Sequence, residues 1–292
     1  MESTPYLYDT LLSVLSQHAK WLDRRHRQTL AWMMVGLINS KTVSLGAWAP
    51  FVVSRARYAQ SIVRRFRRWL DNNRIKPESL YGPLIEKALV SWMGKRVYVA
   101  LDTSMLWNTY CLLRLSVIYR GRAVPLVWQV IEHGSAAVSF ETYKDLLEKA
   151  KTYCPFASEV VLLADRGFAD TQLMGHLRDL GWHWRIRIKS PFWIHPTHLR
   201  PFQVGEVELK SGHMSFWHEV AITDKAFGPV HLGVARPIGS EEYWYVISDE
   251  AAELKMFAEY GLRFDIEETF LDDKSNGFQL EDSLMRSAAV LE

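Results

Sequence analysis

Two short apolar runs, each followed by an aspartate, constrain the fold of this chain more than any other feature. In RVYVALDTS, residues 96–104, Val97, Val99 and Leu101 alternate with Tyr98 and Ala100, and Asp102 follows. That period of two predicts a buried strand with a carboxylate at its end. In EVVLLADRGFAD, residues 159–170, the run from Val160 to Ala164 is too short for a typical helix and ends at Asp165. Arg166-Gly167 then reads as a turn into another helix. An aspartate after a buried strand has two ordinary uses: it caps the helix that follows, or its carboxylate binds a cation. Both uses stay open at each position.

A third acid comes from YGLRFDIEETFLDDK, residues 260–274, which reads as one amphipathic helix. At 100° per residue, Tyr260, Arg263, Glu267 and Lys274 fall within about 60° of arc on one face. Phe264 and Leu271 flank that stripe and could wedge it against a core. Alone, the stripe is equally a solvated face in which Arg263 and Glu267 form an ordinary i,i+4 pair. With the two aspartates, Glu267 completes a hard-oxygen set suited to Mg²⁺. Glu268 is its nearest rival, about 100° further round the helix.

The pattern Tyr-x2-Arg-x3-Glu-x6-Lys, here Tyr260, Arg263, Glu267 and Lys274, resembles the third-acid helix of bacterial insertion-sequence transposases of the DDE type. The Asp102 strand and the segment around Asp165 resemble that family's two aspartate motifs. The resemblance implies an α/β, ribonuclease-H-like fold: a mixed sheet flanked by helices, with the acids converging at one end. It implies a β-rich insertion and an N-terminal helical region that recognises element ends. It further implies a two-metal centre in which Asp102 bridges two Mg²⁺ ions, Asp165 and Glu267 each complete one, and Mn²⁺ can substitute. Arg263 and Lys274 would hold flanking phosphates as charge-assisted donors, and Tyr260 would position a phosphate by its hydroxyl. The implied reaction is DNA cleavage at element ends and strand transfer into target DNA. The implied partners are double-stranded DNA and a second copy of the chain, in a bacterial cytoplasm next to the nucleoid. Relatives usually continue with further apolar helical sequence, so a missing tail is expected beyond Glu292, itself read as helical. Two other readings fit the same acids: a nuclease that cuts without joining, and an inactive, transposase-derived DNA-binding protein.

The rest of the chain is consistent with DNA as partner. The net charge of +2 hides an asymmetry: residues 1–100 hold 16 Lys and Arg against 6 Asp and Glu, a net +10, and residues 101–292 hold 19 against 27, a net −8. A basic front half points to an acidic polymer. Residues 7–22 and 26–39 have helical apolar spacing, and SLGAWAPFV suggests a short helix ended near Pro50. Residues 57–71 form the most basic helix, with Ile62, Phe66 and Trp69 on one face. Arg57, Arg64 and Arg68 lie opposite, and Arg65 and Arg67 sit on the shoulders. This predicts a helix-turn-helix-like bundle over residues 1–93 in which Arg64, Arg65, Arg67 and Arg68 meet phosphates. Residues 74–94, rich in Pro and Gly, read as a connector. The catalytic domain would then span 94–292 in the order β-β-β-α-β-α, interrupted by the β-rich insertion at about 190–250. In HWRIRIK, residues 183–189, the cations alternate with apolar residues, giving either a charge-protected edge strand or a DNA contact. Arg187 is the better contact and Arg185 the lesser. Trp217 and Trp244 are either core or stacking platforms for a displaced base, and the histidines show no metal spacing. Cys111 and Cys154 cannot make a disulfide framework and read as core thiols of a reducing compartment. No run of 18 uncharged apolar residues predicts a membrane span.

Overall fold

The structure, a computed structural model, describes residues 3–18, 21, 23–154, 159–283 and 287–291. Residues 19, 20 and 22 of the expected first helix, and Glu292, lie outside the described residues.

The basic front half is helical: α1 (Ser3–His18), α2 (Arg24–Ser40), α3 (Leu45–Trp48), α4 (Ala59–Leu70) and α5 (Pro77–Leu89). Asp23 caps α2 by accepting the Arg25 N–H at 2.7 Å, the usual way an orphan donor of the first turn is satisfied. Ile62 and Phe66, four apart on α4, are buried against Met33, Trp48 and Val52. Burying that stripe leaves Arg64, Arg65, Arg67 and Arg68 exposed. The expected connector is instead mostly α5, whose Ile85 and Leu89 enter the core of the sheet. Pro and Gly suggested a break, but Pro77 sits in the first turn, where no N–H is needed, and the helix carries Pro83 in its interior. Gly82 lets the helix lie close on Tyr153, whose hydroxyl would be 2.8 Å from an added Cβ.

The sheet begins with β1 (Arg96–Leu106), β2 (Tyr110–Ile118) and β3 (Ala123–Glu132), followed by α6 (Phe140–Tyr153), β4 (Glu159–Ala164), α7 (Thr171–Leu180) and β5 (His183–Arg187). This is the order the sequence predicts. β2 and β3 are antiparallel and turn through Arg120 and Gly121, both at positive φ (51° and 71°). That geometry matches the twist of a hairpin and suits a glycine. The β-rich insertion supplies β6 (Trp193–His195), β7 (Phe202–Gln203), β8 (Met214–Ile222), β9 (Phe227–Ala235) and, at its end, β10 (Trp244–Ser248). These strands extend the same sheet, giving ten strands in the order β3-β2-β1-β4-β5-β10-β9-β8-β6-β7. β4 runs parallel to β1 and β5, and the remaining pairings are antiparallel.

Helices cover both faces. Phe140, Tyr143, Leu147, Leu173, Met174 and Leu177 from α6 and α7 pack on the face carrying Val97, Val99, Leu101, Leu162 and Trp184. The other face, with Ala100, Val161 and Leu163, meets Ile266 and Phe270. These belong to α9 (Phe264–Leu271), which follows α8 (Leu254–Gly261). The result is an α/β fold with a mixed sheet flanked by helices, a β-rich insertion and an N-terminal helical region, as a ribonuclease-H-like fold requires. No described helix is long and apolar enough to cross a membrane.

Candidate active site

The parallel pairing of β1 with β4 sets Leu101 beside Ala164, so the next residues, Asp102 and Asp165, leave adjacent strands at the same end of the sheet. Neighbouring strands lie about 4.8 Å apart. Neither aspartate caps a helix. β1 does not end at Asp102, as its sequence suggests, but runs on to Leu106, with Asp102 opposite Arg114 of β2. Only its pairing with β4 stops there. Asp165 accepts the Gly167 N–H at 2.7 Å in a tight turn. The cap of α7 is Asp170, which accepts the Gln172 N–H at 2.8 Å. A cleft of about 270 Å³ opens between the two carboxylates, lined also by Thr103, Ala136, Gly167 and Phe168. The Thr103 hydroxyl donates to the Ala136 carbonyl at 2.9 Å and ties down the loop that walls the cleft.

The third-acid segment is not one helix. α8 ends at Gly261, Leu262 and Arg263 form the junction, α9 ends at Leu271, and a π-helical turn spans Asp272–Asn276. At the junction the amide bonds shorten to i→i−3, Leu262 to Glu259 at 3.2 Å and Arg263 to Tyr260 at 3.0 Å. The backbone stays helical there, so the stripe is preserved in part. Tyr260 is fully buried, packed edge-on against Trp244 and Phe264. Burial pushes its hydroxyl up, and the neighbouring Arg263 guanidinium opposes that rise, although the two do not reach ideal hydrogen-bond geometry. The core contacts of α9 come from Ile266 and Phe270, while Phe264 and Leu271 remain partly exposed. Arg263, 5% exposed, donates to Asp102 Oδ2 at 3.2 Å and to Glu267 Oε1 at 2.5 Å. Lys274 faces Glu281 at 3.8 Å.

Asp102 shows the electrostatics of this end. Its carboxyl is pushed up to about 6, chiefly by burial. The Thr103 N–H and the Arg263 guanidinium pull it down, and the charges of Asp165 and Glu267 push it up. Two further carboxylates thus act on Asp102, and the one guanidinium at this end bonds Asp102 and Glu267 but not Asp165, so that three acids face a single positive charge. An all-oxygen set with that residual charge fits a divalent cation of the Mg²⁺ type.

The cations of HWRIRIK fare differently. β5 is central, between β4 and β10, so it is neither an edge nor a DNA face throughout. Arg185, 5% exposed, is held by Glu259 at 2.7 Å, Glu250 at 2.6 Å and the Ser248 hydroxyl at 2.8 Å. It is a buried ion-pair residue at the end of the sheet away from Asp102. Breaking a buried pair by removing one partner costs about 3–5 kcal/mol. Arg185→Met is thus expected to lower urea stability by about that much, with unchanged duplex affinity for the protein that remains folded. Arg187 lies at the acid end, donating to Glu242 at 2.6 Å and to the Tyr243 carbonyl at 2.8 Å. With Arg166, Lys189, the acids Glu241 and Glu242, and the stacked Tyr243 and Tyr245 (5.8 Å between centroids, 12°) it lines a second cleft of about 620 Å³. Sequence reasoning missed this cleft because Tyr243 and Tyr245 reach it only through the pairing of β10 with β5.

Two further sequence candidates resolve as packing. Trp244 backs Tyr260 and Phe264, and Trp217 packs on Phe202. Of the clustered histidines, His183 Nδ1 lies 2.6 Å from Asp249 and His218 Nδ1 is 3.3 Å from His231 Nδ1, while the His195 Nε2 is buried without a hydrogen-bond partner among the described residues. His183, Asp249 and Glu250 bring potential ligand atoms within 4.8 Å of one another, and by spacing could coordinate a divalent cation. Burial alone would raise the Glu250 carboxyl, but hydrogen bonds from Arg96 and Arg185 outweigh it and hold it at about 2. That cluster is already held by the Arg96 and Arg185 cations, whereas Asp102, Asp165 and Glu267, which do not meet that spacing, have the single guanidinium of Arg263.

Among solved structures, the chain is similar to a cryo-EM structure of a piggyBac transposase synaptic complex with hairpin DNA, at 10% identity and a TM-score of 0.48. The similarity covers 94% of this chain and 66% of that one, so this chain spans just under two thirds of that protein's length. No curated protein matches the sequence. The family described as Transposase DDE domain matches residues 108–292, a stretch that holds Asp165 and Glu267 and begins after Asp102. Covering more than half of the sequence, that match settles the family: the chain belongs to the DDE transposases.

Proposed function

We propose that this protein is a transposase that cuts DNA at element ends and joins the freed 3′ ends to target DNA, with Asp102, Asp165 and Glu267 as its catalytic acids. The observation that carries the reading is that Asp102 and Asp165 leave adjacent strands at one end of the sheet while Arg263 bonds both Asp102 and Glu267, beside a cleft that holds Arg166, Arg187 and Lys189. Asp102, Asp165 and Glu267 would hold Mg²⁺, which when bound activates a water or 3′-hydroxyl and stabilises the leaving 3′-oxygen in an in-line displacement. The Asx turn keeps Asp165 on the cleft, and the Thr103–Ala136 bond fixes the opposite wall. Lys274 and the cleft cations would track the phosphates, and Arg263 and Tyr260 complete the Tyr-x2-Arg-x3-Glu-x6-Lys stripe. Tyr260, being buried, would act by setting Arg263 rather than by meeting solvent DNA. Residues 1–93 would bind element ends and 94–292 would carry the chemistry, with two copies on the DNA.

The test is incubation with Mg²⁺, supercoiled plasmid and DNA flanking the gene. Nicked and joined products support a transposase, nicks alone a nuclease, and binding without either an inactive descendant.

The four exposed arginines of α4 form no ion pair among the described residues. Replacing Arg64, Arg65, Arg67 and Arg68 by Ala is therefore expected to weaken duplex binding at least tenfold at 100 mM salt. The slope of log K against log salt should flatten by up to about 0.9 for each phosphate no longer neutralised. The circular dichroism spectrum should be unchanged. Equal loss of fold and binding would make these arginines structural.

A further inference from the structure

We propose that Arg263 is a built-in counter-ion that occupies the cation position among the acids until DNA draws it away, so that metal loading is coupled to DNA binding. The inference rests on the metal-centre reading above and concerns how that centre is regulated.

Arg263 bonds to two of the three acids at once, Asp102 Oδ2 at 3.2 Å and Glu267 Oε1 at 2.5 Å. Those are oxygens a divalent cation between the acids would need. A guanidinium cannot yield them by losing its proton, because it stays charged in proteins; it can only move. Its present contacts are incomplete. The side chain is 5% exposed, each carboxylate receives a single bond, and Nε has no partner. The group also lies over the Phe264 ring at 4.7 Å, a cation–π contact that attracts it but takes up none of its N–H donors. A phosphate would do better, because its oxygens can take two parallel N–H donors of the fork. Arg263 also sits at the junction of α8 and α9, where the helical bonds change from i→i−4 to i→i−3. The side chain is thus anchored at a break in the helix rather than in mid-turn.

Without DNA, a divalent cation competes with a tethered cation for the Asp102 and Glu267 oxygens. When a phosphate engages Arg263, both oxygens are released. Such coupling is reciprocal: DNA tightens metal and metal tightens DNA by the same factor, typically about 5–150-fold. The device would keep a nicking centre unloaded on a protein that is not on its substrate.

The experiment is a Mn²⁺ titration followed by the electron paramagnetic resonance signal of free Mn²⁺. It uses wild type, Arg263→Met, Arg263→Lys and Asp102→Asn, each with and without a duplex from the gene's flanking DNA, with duplex alone subtracted. The duplex should tighten Mn²⁺ at least fivefold in wild type. Arg263→Met should bind Mn²⁺ at least fivefold more tightly than wild type without DNA, and gain little from the duplex; both factors are the lower bound for such coupling. Arg263→Lys, a compact cation with a different reach, should fall between. Equal affinity in wild type and Arg263→Met, insensitive to duplex but lost in Asp102→Asn, overturns the inference while the metal centre stands. Mn²⁺ binding to none of the proteins in any condition overturns both. If Arg263→Met does not fold, the Nε–H resonance of Arg263 in wild type decides. It should shift when Mg²⁺ and duplex are added together, and a resonance unmoved at saturation overturns the inference.

Discussion

Asp102→Asn is expected to reduce Mg²⁺-dependent nicking by about 10²–10³-fold or more, the scale of losing a group that stabilises transition-state charge, while duplex binding measured in EDTA, where metal adds nothing to it, stays within about twofold of wild type. Asp102 sits between Asp165 and Arg263 and faces the cleft, so an amide there removes charge from the centre without changing shape. The α4 arginines are on another part of the molecule and are untouched. A variant that nicks near the wild-type rate would refute the assignment. The raised carboxyl adds a pH signature. Its value of about 6 in the fold lies above the ordinary carboxylate value, so the metal-free fold holds this proton more tightly than the unfolded chain does. The resulting stabilisation is fully present below about pH 4, and is lost as pH rises through about 6. Asn cannot titrate. Between pH 4 and pH 7.5, in EDTA, the urea stability of Asp102→Asn relative to wild type should therefore shift in the variant's favour by up to about 3 kcal/mol. A flat difference across that range would mean that Asp102 is not strained by burial. Nicking by wild type should fall as pH drops below 6, because the carboxylate takes up its proton.

That strain is part of what the sequence could not show. The alternation of Val97, Val99 and Leu101 predicts a strand, and the order of strands and helices around Asp102 and Asp165 follows from local period. Bringing Asp102 and Asp165 together then needs only the parallel pairing of β1 and β4, while Glu267 depends on α9 docking through Ile266 and Phe270. The larger failures are non-local. Charged alternation in HWRIRIK cannot distinguish a solvated cation from one buried against acids far along the chain, and Arg185 is buried because Glu250 and Glu259 arrive to meet it. The period of 3.6 predicted a single helix from Tyr260 to Lys274, because a change from i→i−4 to i→i−3 bonding shifts the phase too little to disturb the pattern. Pro77 and Gly82 suggested a linker, but a proline in the first turn starts a helix as readily as it ends one. The cleft between Arg166 and Tyr243 depends on β10 docking beside β5 at the end of the insertion, a pairing that no local signal encodes. The caps were open in sequence and closed in structure, since Asp170 caps α7 in place of Asp165.

Glu267→Gln and Glu268→Gln should separate sharply. Both lie on α9, and composition cannot choose between them. Glu267 shares Arg263 with Asp102, and its charge acts on the Asp102 carboxyl. Glu268 points elsewhere: after burial, it is the charge of Glu268 that pushes the Asp265 carboxyl up, in the neighbourhood of Arg122. A catalytic ligand displaced by 1 Å can cost about 10²-fold in rate. Glu267→Gln is therefore expected to lose at least about 10²-fold of single-turnover nicking. Glu268→Gln should retain at least about a tenth, the milder end of effects from groups outside the ligand set. Single-turnover nicking of an end-containing duplex, after circular dichroism confirms that both variants fold, provides the measurement. The Mn²⁺ titration gives an independent readout, since Glu267→Gln should also weaken metal while Glu268→Gln should not. The reverse result, a dead Glu268→Gln and a live Glu267→Gln, would mean that the pairing of Arg263 with Glu267 is an ordinary i,i+4 contact. Tyr260 and Lys274 would then lose the register that joins them to the acids.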